Sequence, residues 1–454
     1  MKQQQLDLLK GPITKPLMSL AVPMIIAFAF QTSFNFIDRF FVSRLGDIGT
    51  AAIGMAFIVQ LVVIALGSGV GMGLNSYISR NLGAGKRDRA VLAAMHSFLI
   101  SIIIGVLFGG LGLLTQDVLF RSLGAGGLLL QSIKQYLSIL FLFAPVYLLA
   151  MVSNNIFRGW GNTVYPMKFM LTATLFNILL DPLLIFGWWV IPGMGIRGAA
   201  LATGLSRSIA LVYTLVILIF KSKPVKLRMS VFQFDWSVVK GIFQVGLPAS
   251  AGQILNSLSI SLLFLILRQF GDQARAAYTI AFTYDNVAFL PILGIGQAVT
   301  IMTGHNYGAK QYRRIRTIFF TALKIAALMA LPATLIVSIS PGFFAGIFAR
   351  SPEVLGISAA ALRILAPGYV LAAAFICSIG SFQGLGLGKQ QLWATLLRIF
   401  FLTVPFTFIG SRVWGITGFW IGILSANILT ALIVLTWYWY IYHYRLVKGK
   451  IVTL

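Results

Sequence analysis

Twelve apolar segments run along this sequence, each close to the length of about 20 residues that an α-helix needs to cross a bilayer. Inside a bilayer every backbone polar group has to be bonded within the protein, so only helices and closed barrels span it. The segments are too long and continuous for the strands of a membrane β-barrel, which alternate over about ten residues. The pattern predicts an all-α polytopic membrane protein with twelve transmembrane helices.

The twelve segments form two groups of six. The first group lies at residues 17–41, 52–78, 92–116, 135–157, 165–188 and 199–220, and the second at 242–267, 276–303, 317–340, 357–382, 391–410 and 416–443. Only 10% of the residues are charged, whereas soluble domains contain about 25%. The composition therefore excludes an ordinary soluble protein.

The basic residues predict the orientation of the chain. An even number of spans puts both termini on one side of the membrane. The loops on the opposite side carry eight Lys and Arg residues, and the termini and loops on the first side carry more than twice as many. The positive-inside rule then places both termini in the cytoplasm of a multi-pass inner-membrane protein. Because the formal charge of +25 resides in such loops, we expect no binding to nucleic acid.

Four short patterns occur twice, each time 225 residues apart. They are AVP and GLP at Ala21 and Gly246, LGDIGTAAIGMAF and FGDQARAAYTIAF at Leu45 and Phe270, NLGAGK and NYGAKQ at Asn81 and Asn306, and FRGWG and FQGLG at Phe157 and Phe382. The repeat predicts two pseudo-symmetric six-helix lobes in the same orientation, an arrangement typical of transporters with a site near the bilayer midplane. A duplicated scaffold without a transport role is the alternative.

The repeat and a basic connection predict the domain boundaries. We assign residues 1–220 to an N-terminal lobe and residues 241–454 to a C-terminal lobe. The connection at 221–240 carries five basic residues, and we expect it to lie on an anionic cytoplasmic membrane surface.

Three of the ten acidic residues, Asp38, Asp181 and Asp285, lie inside predicted spans. An aspartate at the centre of a membrane helix costs about 2.5–3.5 kcal/mol on insertion scales, so each should face a bundle interior or a wet cavity. The position equivalent to Asp38 in the second half is Leu263, and the counterpart region of Asp181 has no acid. This asymmetry indicates that cation chemistry resides in the N-terminal half.

Asp181 lies among polar groups. Asn177, four residues earlier, shares its helix face, and Pro182 lacks the N–H that would bond the carbonyl of Ile178. These hard oxygen donors suit a proton or an alkali cation better than a soft metal. Asn154, Asn155 and Thr203 add polar atoms on other spans of this half. Helix capping near Pro182 is the alternative role for Asp181.

Asp38 ends a polar stripe on the first span. Gln31, Asn35 and Asp38 are spaced i, i+4 and i+7 on an otherwise apolar helix, and Pro23 can support a kink upstream. An ion pair with Arg39 is the alternative, although neighbours at i and i+1 point to different faces. Asp285 corresponds to Gln60 and could line the cavity, attract a cationic substrate or lie near the outer surface.

Motifs for other chemistry are absent from the sequence. GLGLGKQ, which starts at Gly384, lacks the glycine spacing and the Ser or Thr of a phosphate-binding loop. The three histidines are scattered, the single Cys377 is expected to be a small buried hydrophobe, and no nucleophile–base set is apparent. We therefore expect no enzymatic activity, no cofactor and no structural metal.

The chain resembles the multidrug and toxic compound extrusion (MATE) family. The patterns that carry the resemblance are AVPMII from Ala21, LGDIGTAAIGMA from Leu45, ISRNLGAGKRDRA from Ile78, IFRGWGNTVYPM from Ile156, NILLDPLLIFG from Asn177, GMGIRGAALATGLS from Gly193 and AFLPILGIGQAVTIMTGHNYGAK from Ala288. They span nearly the full length, and their order within the duplicated frame makes the resemblance specific.

The resemblance implies a monomeric antiporter that exports amphipathic, often cationic, organic compounds in exchange for H+ or Na+ by alternating access. The pattern is most similar to the DinF-like branch of the family. By that resemblance, Asp38 on the first helix would be the protonation switch, and this helix would bend near Pro23. The cation-coupling set, which could also hold Na+, is Asp38, Asn177, Asp181 and Thr203. The expected substrate cavity residues are Pro23, Gln31, Phe34, Asn35, Asn154 and Asp285. The NorM-like branch is a poorer match, because it places acids on the seventh and tenth helices.

Two other functions remain open from the sequence. A lipid-linked precursor flippase of the same superfamily would favour a basic cavity, yet only five basic residues are candidates for an intramembrane position: Arg39, Arg207, Lys324, Arg363 and Arg398. A channel or passive scaffold would show no dependence on an ion gradient.

Overall fold

The computed structural model describes residues 8–189, 191–221 and 232–447, which are almost entirely helical. Residues 222–231 of the predicted linker and both chain ends lie outside the described residues. Because apolar side chains dominate every span, intrahelical hydrogen bonds satisfy the backbone where water is absent.

In the first half, the described residues form seven helices and one small hairpin. They are α1 (Thr14–Ser43), α2 (Asp47–Gly83), α3 (Arg87–Ser122), α4 (Gly127–Leu142), α5 (Ala144–Gly159), α6 (Val164–Ile185), the antiparallel strands β1 (Gly187–Trp188) and β2 (Ile191–Pro192), and α7 (Ile196–Val216). A π-helical turn, Ile217–Lys221, continues α7.

The part of the second half that the structure describes contains eight helices, several of them continued by irregular turns. They are α8 (Trp236–Leu267), α9 (Gly271–Gly308), α10 (Tyr312–Ile339), α11 (Pro341–Phe348), α12 (Pro352–Leu365), α13 (Gly368–Gly384), α14 (Gly388–Leu396) and α15 (Val404–Tyr440). A 3-10 turn at Arg268–Phe270 separates α8 from α9, and π-helical segments lie at Leu397–Thr403 and Ile441–Val447.

The described residues contain twelve crossings, as the sequence predicts. Eight stretches are long and apolar enough to span, and two bent pairs, α4 with α5 at 49° and α12 with α13 at 51°, each form one further crossing. Two of the eight, Trp236–Gly308 with 73 residues and Gly388–Tyr444 with 57, far exceed the roughly 20 residues that one span needs. Each is broken, at Arg268–Phe270 and at Trp414–Gly415, and so contributes two crossings.

The break inside α15 forms a tight glycine hairpin. Gly415 adopts φ 59°, which L side chains rarely tolerate, and the backbones of Gly410 and Gly418 then touch across the turn. A Cβ atom on either glycine would overlap the carbonyl oxygen of the other. Small residues at these positions therefore permit close helix packing in the membrane.

Packing divides the described chain into two compact units. Unit 1 contains residues 26–250, and unit 2 contains residues 8–25 and 251–447. Leu17 and Ala21 at the start of α1 belong to the apolar core of unit 2. In unit 1, the hydroxyl of Ser250 on α8 donates to the carbonyl of Ala65 at 2.8 Å. These units differ from the predicted boundaries at 220 and 241, because the repeat marks duplication whereas the units follow packing.

The described end of the linker is fixed to unit 1 by His96. The backbone N–H of Asp235 donates to His96 Nε2 at 3.0 Å, and the rings of Phe232 and Phe234 lie 5.1 and 5.3 Å from the imidazole. The Asp235 carboxylate accepts from the N–H of Ser237, which holds the pKa of Asp235 below its usual range. His96 therefore positions the start of α8, a role its isolated place in the sequence does not reveal.

The glycine hairpin gives a stability prediction. Gly418→Val should destabilise the protein by about 1–3 kcal/mol, because the added side chain meets backbone that cannot move aside. The measurement is the apparent melting temperature in detergent. Gly110→Val is the matched control, since a Cβ at exposed Gly110 on α3 meets open space. Equal melting temperatures for the two variants would contradict the packing argument.

Candidate functional site

The first part of the site is the polar stripe of α1. The helix continues through Pro23 without interruption to Ser43. Gln31 Nε2 donates to Asn35 Oδ1 at 3.4 Å, and Asn35 is exposed while Asp38 is half-buried. Phe34, on the same helix, is buried in a small apolar cluster of unit 1. The stripe therefore offers polar atoms along one helix over nearly two turns.

Asp38 is bonded to α7 rather than to its neighbour in sequence. The hydroxyl of Thr203 donates to Asp38 Oδ1 at 3.4 Å, a long hydrogen bond. The alternative Asp38–Arg39 ion pair is not among the ion pairs of the described residues, and the Arg39 guanidinium instead lies over the Phe57 ring at 5.9 Å. Asp38 thus faces a hydroxyl, and its negative charge is not neutralised by direct contact.

The second part of the site lies on α6. Asn177 Nδ2 donates to Asp181 Oδ1 at 2.9 Å, and both side chains are fully buried. Asp181 Oδ2 and Asn177 Oδ1 are enclosed without a hydrogen-bond partner among the described residues. Asp181 bonds a side chain and lies inside a helix that continues to Ile185, so its geometry differs from that of a helix cap.

Three helices bring these groups together. The hydroxyl of Thr174 on α6 donates to the carbonyl of Phe30 on α1 at 3.3 Å, while α6 packs along α7. Asp38 and Asp181 are close enough to repel one another electrostatically. Two carboxylates from different helices therefore share one enclosed region of unit 1, named here the acidic cluster: Asp38, Asn177, Asp181 and Thr203.

Asn154 is buried on α5 and forms no hydrogen bond to the acidic cluster among the described residues. Its Nδ2 donates to the carbonyl of Ala150 at 3.0 Å, and its Oδ1 is enclosed and unpartnered. The spare oxygen makes Asn154 a further acceptor in unit 1.

Residues not singled out from the sequence also contribute to this region. The Arg207 guanidinium lies over the rings of Phe34 and Tyr147, at 5.2 and 4.8 Å, and interacts electrostatically with Asp38. Tyr136 interacts with both carboxylates, and its hydroxyl is bonded to Gln60 Nε2 at 2.7 Å. In the sequence, these residues stand out only as polar side chains within apolar spans. For a tyrosine this signal is weak, because tyrosines also occur in ordinary hydrophobic cores.

Asp285 belongs to unit 2 and is separate from the acidic cluster. It is half-buried on α9, its Oδ1 is enclosed without a hydrogen-bond partner, and the Tyr369 hydroxyl on α13 is its polar neighbour. Lining the cavity, attracting a cationic substrate and lying near the outer surface all stay predictions for Asp285.

The donor set of the acidic cluster consists of oxygen atoms. Within the described ranges no three His, Cys, Asp or Glu side chains are grouped as metal ligands. Two carboxylates, an amide oxygen and a hydroxyl suit a proton or a hard alkali cation, and the two unpartnered buried oxygens fit such an occupant. Arg and Lys side chains make no direct contact there among the described ion pairs.

The fold and this site define a class of protein. Intramembrane carboxylates facing a helix bundle that is built from a tandem repeat are characteristic of secondary transporters. The MatE family model matches residues 23–183 and 248–409, two segments that begin 225 residues apart, in agreement with the repeat. The chain belongs to the MatE family, the MATE transporters, as its motifs indicate.

Relatives match along almost the whole chain. An FAD transporter of Shewanella oneidensis is 27% identical over 93% of each chain. The multidrug export protein MepA of Staphylococcus saprophyticus is 27% identical over 95% of each chain. A solved MOP-superfamily transporter from Pyrococcus furiosus, described as having a binding pocket of reverse polarity that suggests a different function, superposes with a TM-score of 0.91 at 31% identity, covering 97% of this chain and 98% of its own. This chain is therefore a member of a family of membrane transporters with the twelve-helix fold.

The Asn177–Asp181 bond gives a stability prediction. Asn177→Ala should cost about 1–3 kcal/mol, because it leaves a buried carboxylate oxygen without its donor. Asn35→Ala is the matched control, since Asn35 is exposed and should change stability by less than about 0.5 kcal/mol. Thermal unfolding in detergent measures both. A variant at 177 as stable as the control would show that the bond contributes nothing.

Proposed function

We propose that this protein is a cation-coupled antiporter that exports amphipathic, often cationic, organic compounds by alternating access. The observation that supports it most is the acidic cluster, in which Asp181 and Asn177 each retain an enclosed oxygen without a partner. Buried polar atoms are normally hydrogen-bonded, and these two belong to a directly bonded carboxylate–amide pair, where a proton or a cation would supply the missing partner. A multidrug exporter among the relatives agrees with the direction of transport.

Coupling follows from the exchange of one occupant for another. A proton on either carboxylate removes the repulsion between Asp38 and Asp181 and supplies a donor to an unpartnered oxygen. A Na+ ion bound by both carboxylates offsets their repulsion and reduces the net charge of the site from −2 to −1. In either case the bound state lowers the cost of enclosing the site. An occupant that binds one conformation better than another shifts the equilibrium between them, which is the requirement for coupled transport.

The acidic cluster favours neither ion on chemical grounds alone, because the same oxygen atoms serve H+ and Na+. A proton needs one acceptor, whereas Na+ needs several oxygens at once. Thr203 and Asn177 become essential only in the second case. Their replacement therefore separates the two coupling ions.

The substrate is proposed to bind in a cavity bordered by the α1 stripe and by residues beyond it. The residues assigned to the cavity are Pro23, Gln31, Phe34, Asn35, Asn154 and Asp285, with bending near Pro23 as part of the cycle. The DinF-like branch, a monomeric state, an inner-membrane location and cytoplasmic termini belong to the same proposal. Their support is the restriction of the paired acids to the first half and the excess of basic residues in alternate loops.

A second candidate function is flavin dinucleotide export. It is favoured by the relative from Shewanella oneidensis, which matches over 93% of this chain. FAD as a competitor in the flux assay distinguishes it, because competition with a dye at equal affinity would indicate a shared pathway. Transport of FAD and failure to move any organic cation would replace the leading proposal.

The proposed coupling predicts loss of gradient-driven export in two variants. Asp38→Asn and Asp181→Asn should each reduce ethidium flux into the gradient at least about tenfold, because an amide neither binds a proton nor neutralises Na+. The assay uses purified protein in liposomes with an imposed pH gradient or Na+ gradient, run side by side. Asp47→Asn is the control, since Asp47 is exposed at the start of α2.

The outcomes of this assay are distinct. Flux driven only by the Na+ gradient, and lost in Thr203→Val, would assign Na+ as the coupling ion. Flux driven only by the pH gradient, and retained in Thr203→Val, would assign the proton. Full gradient-driven flux in both acid variants would refute the acidic cluster as the coupling site, and flux independent of any gradient would indicate a channel.

A further inference from the structure

Unit 2 carries an arginine within the membrane that the proposed coupling does not use. Arg398 lies in the π-helical segment Leu397–Thr403, ten residues after α14 begins at Gly388. At 1.5 Å per residue it is about 15 Å along a span that crosses a hydrocarbon core of about 30 Å. Intramembrane arginines are costly, and π-helical segments in α-helices occur frequently at functional sites. Both features indicate a role for this side chain.

The guanidinium is held in place but not neutralised. Arg398 Nη2 donates to Asn256 Oδ1 on α8 at 2.9 Å, and the group lies over the Phe375 ring of α13 at 4.4 Å. None of the ion pairs within the described residues includes Arg398. No nitrogen of Arg398 is enclosed by protein and left without a hydrogen-bond partner. The planar guanidinium is therefore oriented by Asn256 and Phe375, while most of its five N–H donors remain free for a ligand.

A carboxylate lies nearby without pairing with this arginine. Tyr278 on α9 interacts electrostatically with both Asp285 and Arg398, yet the two charged groups form no ion pair. Tyr278 itself is buried and stacks on Trp420, with ring centroids 6.3 Å apart and an interplanar angle of 14°. A positive and a negative group thus both act electrostatically on one buried aromatic side chain without pairing with each other.

We propose that Arg398, Tyr278 and Asp285 form a dipolar subsite in unit 2 that binds aromatic zwitterions, with the guanidinium holding the anionic group and Asp285 the cationic group of one ligand. The inference rests on the proposed function, in which Asp285 lines the substrate cavity, and it names the substrate class. A planar carboxylate matches the planar guanidinium of Arg398, and the half-buried Phe375 ring offers apolar surface to an aromatic body. A purely cationic compound would satisfy Asp285 and leave Arg398 unpaired.

The simplest competing role for Arg398 is structural, since its bond to Asn256 ties α8 to the span that contains Leu397–Thr403. That role requires no ligand and predicts no preference among substrates. The two roles therefore differ in whether the charge of the ligand matters, and a pair of ligands that differ in one charge separates them.

Rhodamine 110 and its methyl ester, rhodamine 123, are such a pair: both share the cationic xanthene, and only the first has a free carboxylate. Fluorescence polarisation with the purified full-length protein should show rhodamine 110 bound about tenfold more tightly, the effect of one charge-assisted hydrogen bond. Arg398→Gln should remove this difference and leave the affinity for rhodamine 123 within about twofold. Arg412→Gln, an exposed arginine over the Phe408 ring, is the matched control and should retain the tenfold preference.

The wild-type comparison needs no variant, so it decides the question even if Arg398→Gln fails to fold. Equal affinity of the wild type for both dyes, or tighter binding of the ester, overturns the proposal. A preference that survives Arg398→Gln, or an equal loss of both dyes in a folded variant, also overturns it. The coupling proposal is tested separately by flux: tight rhodamine 110 binding without gradient-driven movement of either dye would refute coupled export while supporting the subsite.

Discussion

The high cost of charge in hydrocarbon is the constraint on which this structure depends. A helix bundle made almost wholly of apolar side chains satisfies its backbone internally, so each ionisable side chain within it has to be accommodated individually. In unit 1 the accommodation is partial: Asn177 and Thr203 each donate one hydrogen bond, while Asp181 and Asn177 each keep one enclosed oxygen without a partner. In the proposed cycle, a proton or a cation supplies that missing partner.

The two units handle their charges differently. Unit 1 places two carboxylates together and keeps Arg207 on the faces of Phe34 and Tyr147. Unit 2 places one carboxylate and one arginine within electrostatic range of Tyr278 without pairing them. The first arrangement concentrates negative charge in one spot, which suits a small cation, whereas the second keeps opposite charges apart near aromatic side chains, which suits a larger organic ligand. These two chemistries correspond to the two roles of the proposed antiporter.

The sequence predicted the number of spans, the family and the residues of the acidic cluster, because apolar length and isolated acids are strong signals in a membrane protein. It did not predict the bends between α4 and α5 and between α12 and α13, since hydropathy is blind to direction. The helix α4 begins at Gly127, eight residues before the span predicted at 135–157. Tyr136 escaped notice because an aromatic residue in an apolar run has the same pattern whether or not it contacts a charge.

Positions at which the two halves of the repeat carry different residues are more informative about function than positions at which they agree. The bends of α4–α5 and α12–α13, at 49° and 51°, occur at equivalent places in the two halves, so the duplicated sequence conserves the backbone path. The intramembrane charges do not follow: Asp38 is matched by the buried Leu263, and Arg398 by the buried Ala173. Architecture alone requires neither charge, because the equivalent helix of the other half forms without it. The charged positions that break the repeat are therefore the ones to which we assign the proposed binding roles.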